Sequence, residues 1–462
     1  MNILIKNGRL VSAEKIEDKE ILIVGDKIKS AKDKFSASEL PTNLDIIDAR
    51  GKYVMPGIID AHTHYHLVSR GTVTADRFYE GSILASFGGV TTIIDFSDHL
   101  PGKKIARGAL YRNSEAQGEI AIDWALHQTI TRADDDVRKE LEELKDSGIT
   151  TIKIFTTYKS AGYYLGKEPA KKIFEVCRDL GIMVSIHAED DEIIEENSKQ
   201  VLDKPYPPEL IPVIRSSEAE YKAIKEYGEL AGSLEMPIYI VHLSSTRGLD
   251  AVRKLKAAGV NVIVETTPHY LTLTNDLLKK DGAQKFLMTP PLRESADNEA
   301  LWSGVVSGDI SIIATDHCSF TEEQKFQSDD CRTIFPGIPG TEEMLQVVNT
   351  RGVEKGLFDI CRLVSLLSTV PAQAFGLYPE KGSLEPGTDA DIVIFNPNVK
   401  SVLRNDNRHT AAGYTPYDGM KVQGKAETVI LRGEIILDNG EFIGRRGFGK
   451  FLKAGLPGAY ME

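Results

Sequence analysis

Cysteine is scarce in this chain: Cys177, Cys318, Cys331 and Cys361 are the only four in 462 residues, and none has CxxC spacing. Such a set suggests neither a disulfide framework nor a zinc ribbon. Positive charge is also in deficit. There are 55 Lys and Arg against 68 Asp and Glu, for a net charge of −13. A surface of that sign repels nucleic acid and anionic membrane, and no basic tract offsets it. No apolar run approaches the ~20 residues that a membrane-spanning helix needs. The opening stretch MNILIKNGRLV lacks the apolar region and cleavage site of a secretory signal. Internal repeats and low-complexity tracts are missing too. These absences point away from nucleic-acid and membrane partners. They leave the expectation of a cytoplasmic enzyme acting on a small molecule.

What is present is ordinary globular composition, 41% apolar and 27% charged. The length exceeds what one compact core usually absorbs, so a large domain with a smaller companion is expected. The first 55 residues read as short strands broken by turn signals such as Asn7-Gly8 and Gly25-Asp26. After Met55-Pro56-Gly57 the rhythm changes. Apolar runs at 89–96, 120–126, 150–155, 183–187, 238–242, 260–264 and 310–314 alternate with helical stretches at 134–147, 168–180, 217–231 and 247–258. Nearly continuous apolar strands separated by helices predict a parallel sheet. Seven or eight such units over roughly 300 residues suit a closed (β/α)8 barrel of TIM type. Strand character returns after Leu377, at 390–395, 428–431 and 434–437. Neither terminal piece alone buries enough surface to be stable. The expectation is therefore an α/β chain with a (β/α)8 barrel over 56–377, a small β-sandwich domain from 1–55 plus 378–445, and a C-terminal arm over 446–462.

The chemistry concentrates at predicted strand ends. Asp60-Ala61-His62-Thr63-His64 follows the apolar run Val54 to Ile59. Residues two apart on a strand face one side, so His62 and His64 are predicted to converge at the C-terminal end of the first barrel strand, where barrel active sites form. His66 extends the row as a pocket residue. His187 and His242 each end an apolar strand, and Asp316 follows Ile312-Ile313-Ala314-Thr315. Imidazole and carboxylate donors converging at one barrel mouth suit a borderline metal such as zinc. Asp316 reads equally as a helix N-cap. Within a metal site it would be ionised at neutral pH and able to accept a proton from bound water. Lys153, in Thr151-Ile152-Lys153-Ile154-Phe155, is predicted to point into the barrel while Ile152 and Ile154 meet the helices. An ammonium has no lone pair to offer a metal and is costly to bury. The residues alone give it no role.

Eight segments then carry a resemblance over almost the whole chain: VMPGIIDAHTH (54–64), TVTADRFYEGSILASFGGVTTIIDF (72–96), KIFTTY (153–158), IYIVHLSSTRGLD (238–250), FLMTPPLR (286–293), IIATDHCSF (312–320), GYTPYDGM (413–420) and GFGKFL (447–452). In these the sequence resembles the dihydropyrimidinase/hydantoinase family of the amidohydrolase superfamily. The resemblance implies two divalent metal ions, Zn2+ by preference, with Lys153 converted by carbon dioxide into a carbamate (N6-carboxylysine) bridging them. His62, His64 and Asp316 would serve one ion, His187 and His242 the other, with a hydroxide between. Asp316 would take the proton and deliver it to the leaving nitrogen, and Tyr158 would donate to the developing oxyanion. Imide contacts would come from Thr289, Pro336 and Gly337, largely through backbone groups. A homotetramer, or a dimer, is the implied assembly, with the C-terminal arm as a candidate interface.

The ring to be opened is narrowed by what is missing. Relatives that open dihydroorotate carry HxHxR and an Asn after the second barrel strand, gripping a carboxylate. Here the arginine position holds His66 and the Asn position falls near Asp98. An Asp in place of those contacts disfavours an anionic substrate. The expected substrates are neutral cyclic imides, 5,6-dihydropyrimidines or 5-substituted hydantoins, opened to N-carbamoyl amino acids. Two departures from the family wording stand out: Thr289 where Ser is usual, and Pro336 where Asn is usual. Thr267-Pro268-His269-Tyr270 is closer to allantoinase wording and keeps allantoin as the alternative. A non-catalytic scaffold of the same family would have lost metal ligands, and none is lost here. Tyr65, His66, Tyr163, Tyr164 and Phe320 are the expected lining of the substituent pocket.

Overall fold

The computed structural model describes residues 2–201 and 206–458. Strands from both chain ends form two sheets. One has four strands, in the order Lys27–Lys32, Glu20–Val24, Asn2–Lys6, Asp45–Asp48. The other has seven and mixes the two ends of the sequence. Its C-terminal strand Ile392–Val402 runs antiparallel beside Tyr53–Pro56, pairing Ile392 with Pro56 and Phe395 with Tyr53. Alternation buries one face of each sheet against the other: Ile3, Ile5, Ile21 and Ile23 pack against Val54, Ile392, Ile394 and Ile430.

The chain enters the barrel through Gly57. A Cβ there would lie 2.0 Å from Thr91 Oγ1, so only glycine fits this crossing. Eight strands follow in sequence order: β1 (Ile58–Thr63), β2 (Val90–Ser97), β3 (Asp123–Thr129), β4 (Thr151–Phe155), β5 (Met183–His187), β6 (Ile238–Ile240), β7 (Val262–Thr266) and β8 (Ile312–Ile313). Every neighbouring pair is parallel. Closure between β8 and β1 rests largely on a side chain. The Asp60 carboxylate accepts from Thr315 N at 3.0 Å, Thr315 Oγ1 at 2.6 Å and Thr341 Oγ1 at 2.9 Å. Just above, His64 N donates to His317 O at 2.8 Å. The barrel interior is a packed plug that includes Ile59, Ala61, Ile94, Tyr239, Ile263, Ala314 and Phe375, while Ile152 and Ile154 join the layer shared with the surrounding helices.

The third strand begins three residues later than its apolar run suggested, at Asp123 rather than Ile120. Ile120 to Ile122 are fully buried but lie beneath the barrel, where the C-terminal arm runs alongside and bonds to Ile120 and Trp124. Gly449 N donates to Ile120 O, Trp124 N to Lys450 O and Leu452 N to Trp124 O. The arm continues along the floor to Gly148 and Gly376, so through residue 458 it packs on its own barrel. Its last four residues lie outside the described ones. The terminal sheets are also tied to the floor by a buried charge cluster. Lys381 Nζ lies 2.6 Å from both Asp123 Oδ2 and Asp391 Oδ2 and 3.0 Å from Asp389 Oδ2. These three carboxylates are spaced closely enough to hold a metal ion, but Lys381, Arg432 and Lys27 already pair with them. Among the described residues no helix is long and apolar enough to cross a membrane.

Candidate metal centre

At the C-terminal mouth of the barrel, residues that are far apart in sequence converge. β1 gains one residue relative to β2 between Asp60 and Thr63, since Asp60 pairs with Ile93 and Thr63 with Asp95. A bulge of this kind changes which face a side chain takes. It brings His62 inward directly after the inward-facing Ala61. His62 Nε2 and His64 Nε2 each lie 3.1 Å from Asp316 Oδ1, and this trio has the spacing of a metal-holding group. Next to it, His242 Nε2 lies 3.0 Å from His187 Nδ1. The two clusters adjoin, with the His62 and His242 rings stacked 5.4 Å apart. Lys153 Nζ reaches between them, 3.1 Å from His62 Nε2 and 4.2 Å from the centre of the Phe96 ring. Three residues of this mouth, Tyr158, His242 and Asp316, have positive φ of 65°, 37° and 50°. Non-glycine backbone in that region is uncommon and collects at functional sites.

The electrostatics of His64, His187 and His242 suit metal donors, whereas at His62 burial and Lys153 are outweighed by Glu265 and Asp316, which raise it. Burial lowers His187 below the ordinary imidazole range despite Glu189. Burial and the neighbouring His187 hold His242 well below it. Burial likewise lowers His64 against the pull of Asp316. Neutral imidazoles keep a lone pair for a cation. Burial opposes ionisation of Asp316, yet His62 and His64 hold it well below the usual carboxylate range. Burial lowers Lys153 to about 8. Donors bound to one zinc ion at about 2.0–2.1 Å sit a little over ~3 Å apart. The 3.0–3.1 Å separations here match that spacing, so the residues present fit a pair of metal ions.

A second layer holds the imidazoles, and sequence reading passed over it. Glu265 Oε1 accepts from His62 Nδ1 at 2.8 Å and from His242 N at 2.9 Å, and its Oε2 accepts from Tyr239 Oη at 2.7 Å. Glu189 Oε2 lies 2.7 Å from His187 Nε2 and is also bound by Arg215. Burial opposes its charge, but Arg215 and His187 hold it down to about 2. A glutamate inside the apolar run Val262-Ile263-Val264-Glu265 was the available signal for the first of these. For the second it was the acid two residues past His187.

The centre opens into a cavity of about 390 Å3 that is lined by, among others, Tyr158, Thr289, Pro336 and Gly337. The Tyr158 hydroxyl is hydrogen-bonded to Thr289 Oγ1, and the Arg215 guanidinium lies over its ring, 4.6 Å from the centre. Gly337 N donates to Leu287 O at 3.0 Å, which leaves its carbonyl as the group free for a ligand. A Cβ at Gly337, where φ is 134°, would come within 2.4 Å of Cys318 O. The expected substituent pocket needs correction. Tyr163 lines the cavity, but Tyr65, His66, Tyr164 and Phe320 do not. Tyr65 is fully buried against Gly81, His66 stacks on Phe78 and Phe320 stacks on Phe335. Leu67, Arg70, Asp98, Phe155 and Met288 contribute instead.

Comparison with known proteins agrees with this architecture. A model of the amidohydrolase family matches residues 53–436. The chain is 35% identical to the D-hydantoinase of Geobacillus stearothermophilus, over 100% of this chain and 98% of the relative. It is 33% identical to a D-phenylhydantoinase of Escherichia coli, over 98% of both. The crystal structure of the dihydropyrimidinase from Brevibacillus agri superposes with a TM-score of 0.95 at 32% identity, covering 99% of each chain.

Proposed function

The chain belongs to the amidohydrolase family, and from that premise we propose that it opens neutral cyclic imides, 5,6-dihydropyrimidines or 5-substituted hydantoins, to N-carbamoyl amino acids. The observation that carries this reading is the convergence of His64, Asp316, His187, His242 and Lys153 in one cavity facing Tyr158 and Thr289, with the fully buried His62 against Asp316 and Lys153 behind them.

In this reading His62, His64 and Asp316 would hold one divalent ion and His187 and His242 the other, with a carbamate on Lys153 completing the donor set. The donor set favours zinc. Bound there, the ions supply Lewis acidity, which lowers the pKa of water and polarises a carbonyl. Lys153 suits carbamate formation by its place. It is buried, and its Nζ lies 3.1 Å from His62 Nε2, one of the proposed ligand atoms. Its neutral amine adds to the carbon of carbon dioxide and releases one proton. Glu265 and Glu189 fix the ring orientations of His62 and His187, the usual task of a carboxylate behind a ligating imidazole. The Tyr158 hydroxyl donates to the carbonyl oxygen as negative charge grows on it. Asp316 accepts the proton of the attacking water on its carboxylate and returns it to the ring nitrogen as the C–N bond breaks. The Gly337 carbonyl and Thr289 orient the imide edge. A homotetramer in the cytoplasm belongs to the same reading through the family resemblance, and sedimentation velocity checks the assembly.

The test is ring opening across dihydrouracil, hydantoins, allantoin and dihydroorotate with metal-loaded protein. Opening of dihydrouracil or hydantoins is the expected result, and a preference for dihydroorotate overturns the neutral-imide assignment. In parallel, Lys153→Ala is expected to lose most of its metal and its activity. Full metal occupancy with near-normal turnover in that variant rules out the carbamate.

A further inference from the structure

One acidic side chain in the cavity is used by neither donor cluster nor by the ring-opening chemistry. Asp98 follows β2 and Tyr163 follows β4, and both line the cavity. Thr289 follows β7 and Gly337 follows β8. In an eight-stranded ring β4 stands directly across the mouth from β8, and β2 lies three strands from β7. A ring held by its imide edge at Thr289 and Gly337 therefore directs its far carbon toward Asp98 and Tyr163.

The half-buried Asp98 carboxyl is hydrogen-bonded by the Tyr163 hydroxyl, and burial raises its pKa against that bond and the pull of Arg112. Among the described residues it has no cation within ion-pair distance. Arg112 is engaged elsewhere: its Nη2 lies 2.6 Å from Asp95 Oδ1, and it also binds the carbonyls of Tyr65 and His66. Arg70, exposed at the rim, donates to Thr333 O at 3.1 Å and lies over the Phe335 ring. A carboxylate offers about four acceptor positions, and one withdrawn from water without partners is costly. The Tyr163 oxygen, having donated its hydrogen, is an acceptor beside it. The wall thus presents adjacent acceptors and no donor.

We infer that Asp98 and Tyr163 form a recognition site for an N–H-donating ring substituent, namely a ureido, amino or guanidino group, and that they disfavour carboxylates and plain alkyl groups. This rests on the cyclic-imide reading above and names the substrate class within it. A planar N–H pair fits the two acceptors, so allantoin, which is 5-ureidohydantoin, falls inside the class.

The experiment measures kcat/KM of the metal-loaded enzyme for 5-ureido-, 5-(3-aminopropyl)-, 5-isobutyl- and 5-carboxymethylhydantoin, with unsubstituted hydantoin alongside. Wild type is expected to favour the ureido or aminopropyl substrate over the isobutyl one by about tenfold or more, the scale of one charge-assisted hydrogen bond. Asp98→Leu should lower that ratio by a similar factor, and Tyr163→Phe should lower it less. A purely structural role for Asp98 would reduce all substrates together. Preference for isobutyl or carboxymethyl in wild type, or an unchanged ratio in both variants, overturns the inference. If neither dihydrouracil nor any of the hydantoins is opened, the ring-opening reading fails separately. Calorimetric binding of allantoin against 5-isobutylhydantoin to wild type and to both variants then decides the Asp98 site without turnover: tighter binding of allantoin that weakens in the variants supports it, and equal binding sinks it.

Discussion

Glu265 Oε1 accepts from His62 Nδ1 at 2.8 Å and from His242 N at 2.9 Å, so one carboxylate steadies a residue of each donor cluster. Glu265→Gln preserves shape but weakens both contacts. Metal affinity is expected to fall by about 10–100-fold, as is usual when the group behind a ligating histidine is altered. Competition with a chelator measures this. Wild-type retention in the variant would show that the carboxylate does not tune the ligands.

Asp316 has two tasks in the proposed reaction, and a conservative change separates them. Asp316→Asn keeps a side-chain oxygen near His62 and His64 but cannot carry the proton. At least one metal ion should remain bound while kcat drops by about 100-fold or more. Metal content and turnover are read on the same sample. A fully active Asn variant contradicts the assignment.

Lys381 is buried among Asp123, Asp389 and Asp391, and burial is outweighed by those carboxylates, which raise its pKa. Lys381→Met leaves Asp123 with Arg432 and Asp389 with Lys27, but strips buried Asp391 of its ion-pair partner. The expected loss of stability is about 3–5 kcal/mol, the scale for breaking a buried pair by removing one partner. A denaturation midpoint reports it, and adding Asp123→Asn should restore part of it. An unchanged midpoint in the single variant refutes the compensating role.

Lys325 is fully buried, donates to Leu287 O and Phe335 O at 2.8 Å each, and is lowered by burial to about 7. In the unfolded chain it titrates near ~10.4. Between those values the unfolded state binds the additional proton, so this residue makes stability rise with pH; below about 7 the buried ammonium imposes its full cost. Lys325→Met lacks that contribution. The gap in urea midpoint between wild type and variant should therefore move in favour of wild type from pH 7 to pH 10, at fixed protein concentration. A gap that is flat or moves the other way would falsify the linkage.

The architecture was legible because a barrel with helices outside and a packed plug inside demands nearly continuous apolar strands, and the runs at 150–155 and 183–187 coincide with β4 and β5 to within a residue. It was less legible where burial did not mean strand. Ile120 to Ile122 are as apolar as any strand, but Ile120 N bonds Ala116 O, Ala121 N bonds Ser82 Oγ, and the C-terminal arm takes the Ile120 carbonyl. Within the site, strand-end histidines announced themselves by position. Part of the pocket did not, because local packing rather than spacing turned Tyr65 and His66 away.

By itself the sequence determined the kind and order of the donors, since imidazoles and a carboxylate at successive strand ends of a parallel barrel must share its C-terminal mouth. Only the tertiary structure decided what stands behind and beside them. Glu265 is 203 residues from His62, the bulge in β1 sets which way His62 points, and Asp98 is left without an ion-pair partner among the described residues because Arg112 is bound to Asp95. Periodicity fixes which side of one strand a residue takes. Contacts between strands that are distant in sequence depend on register and closure, which no local pattern encodes.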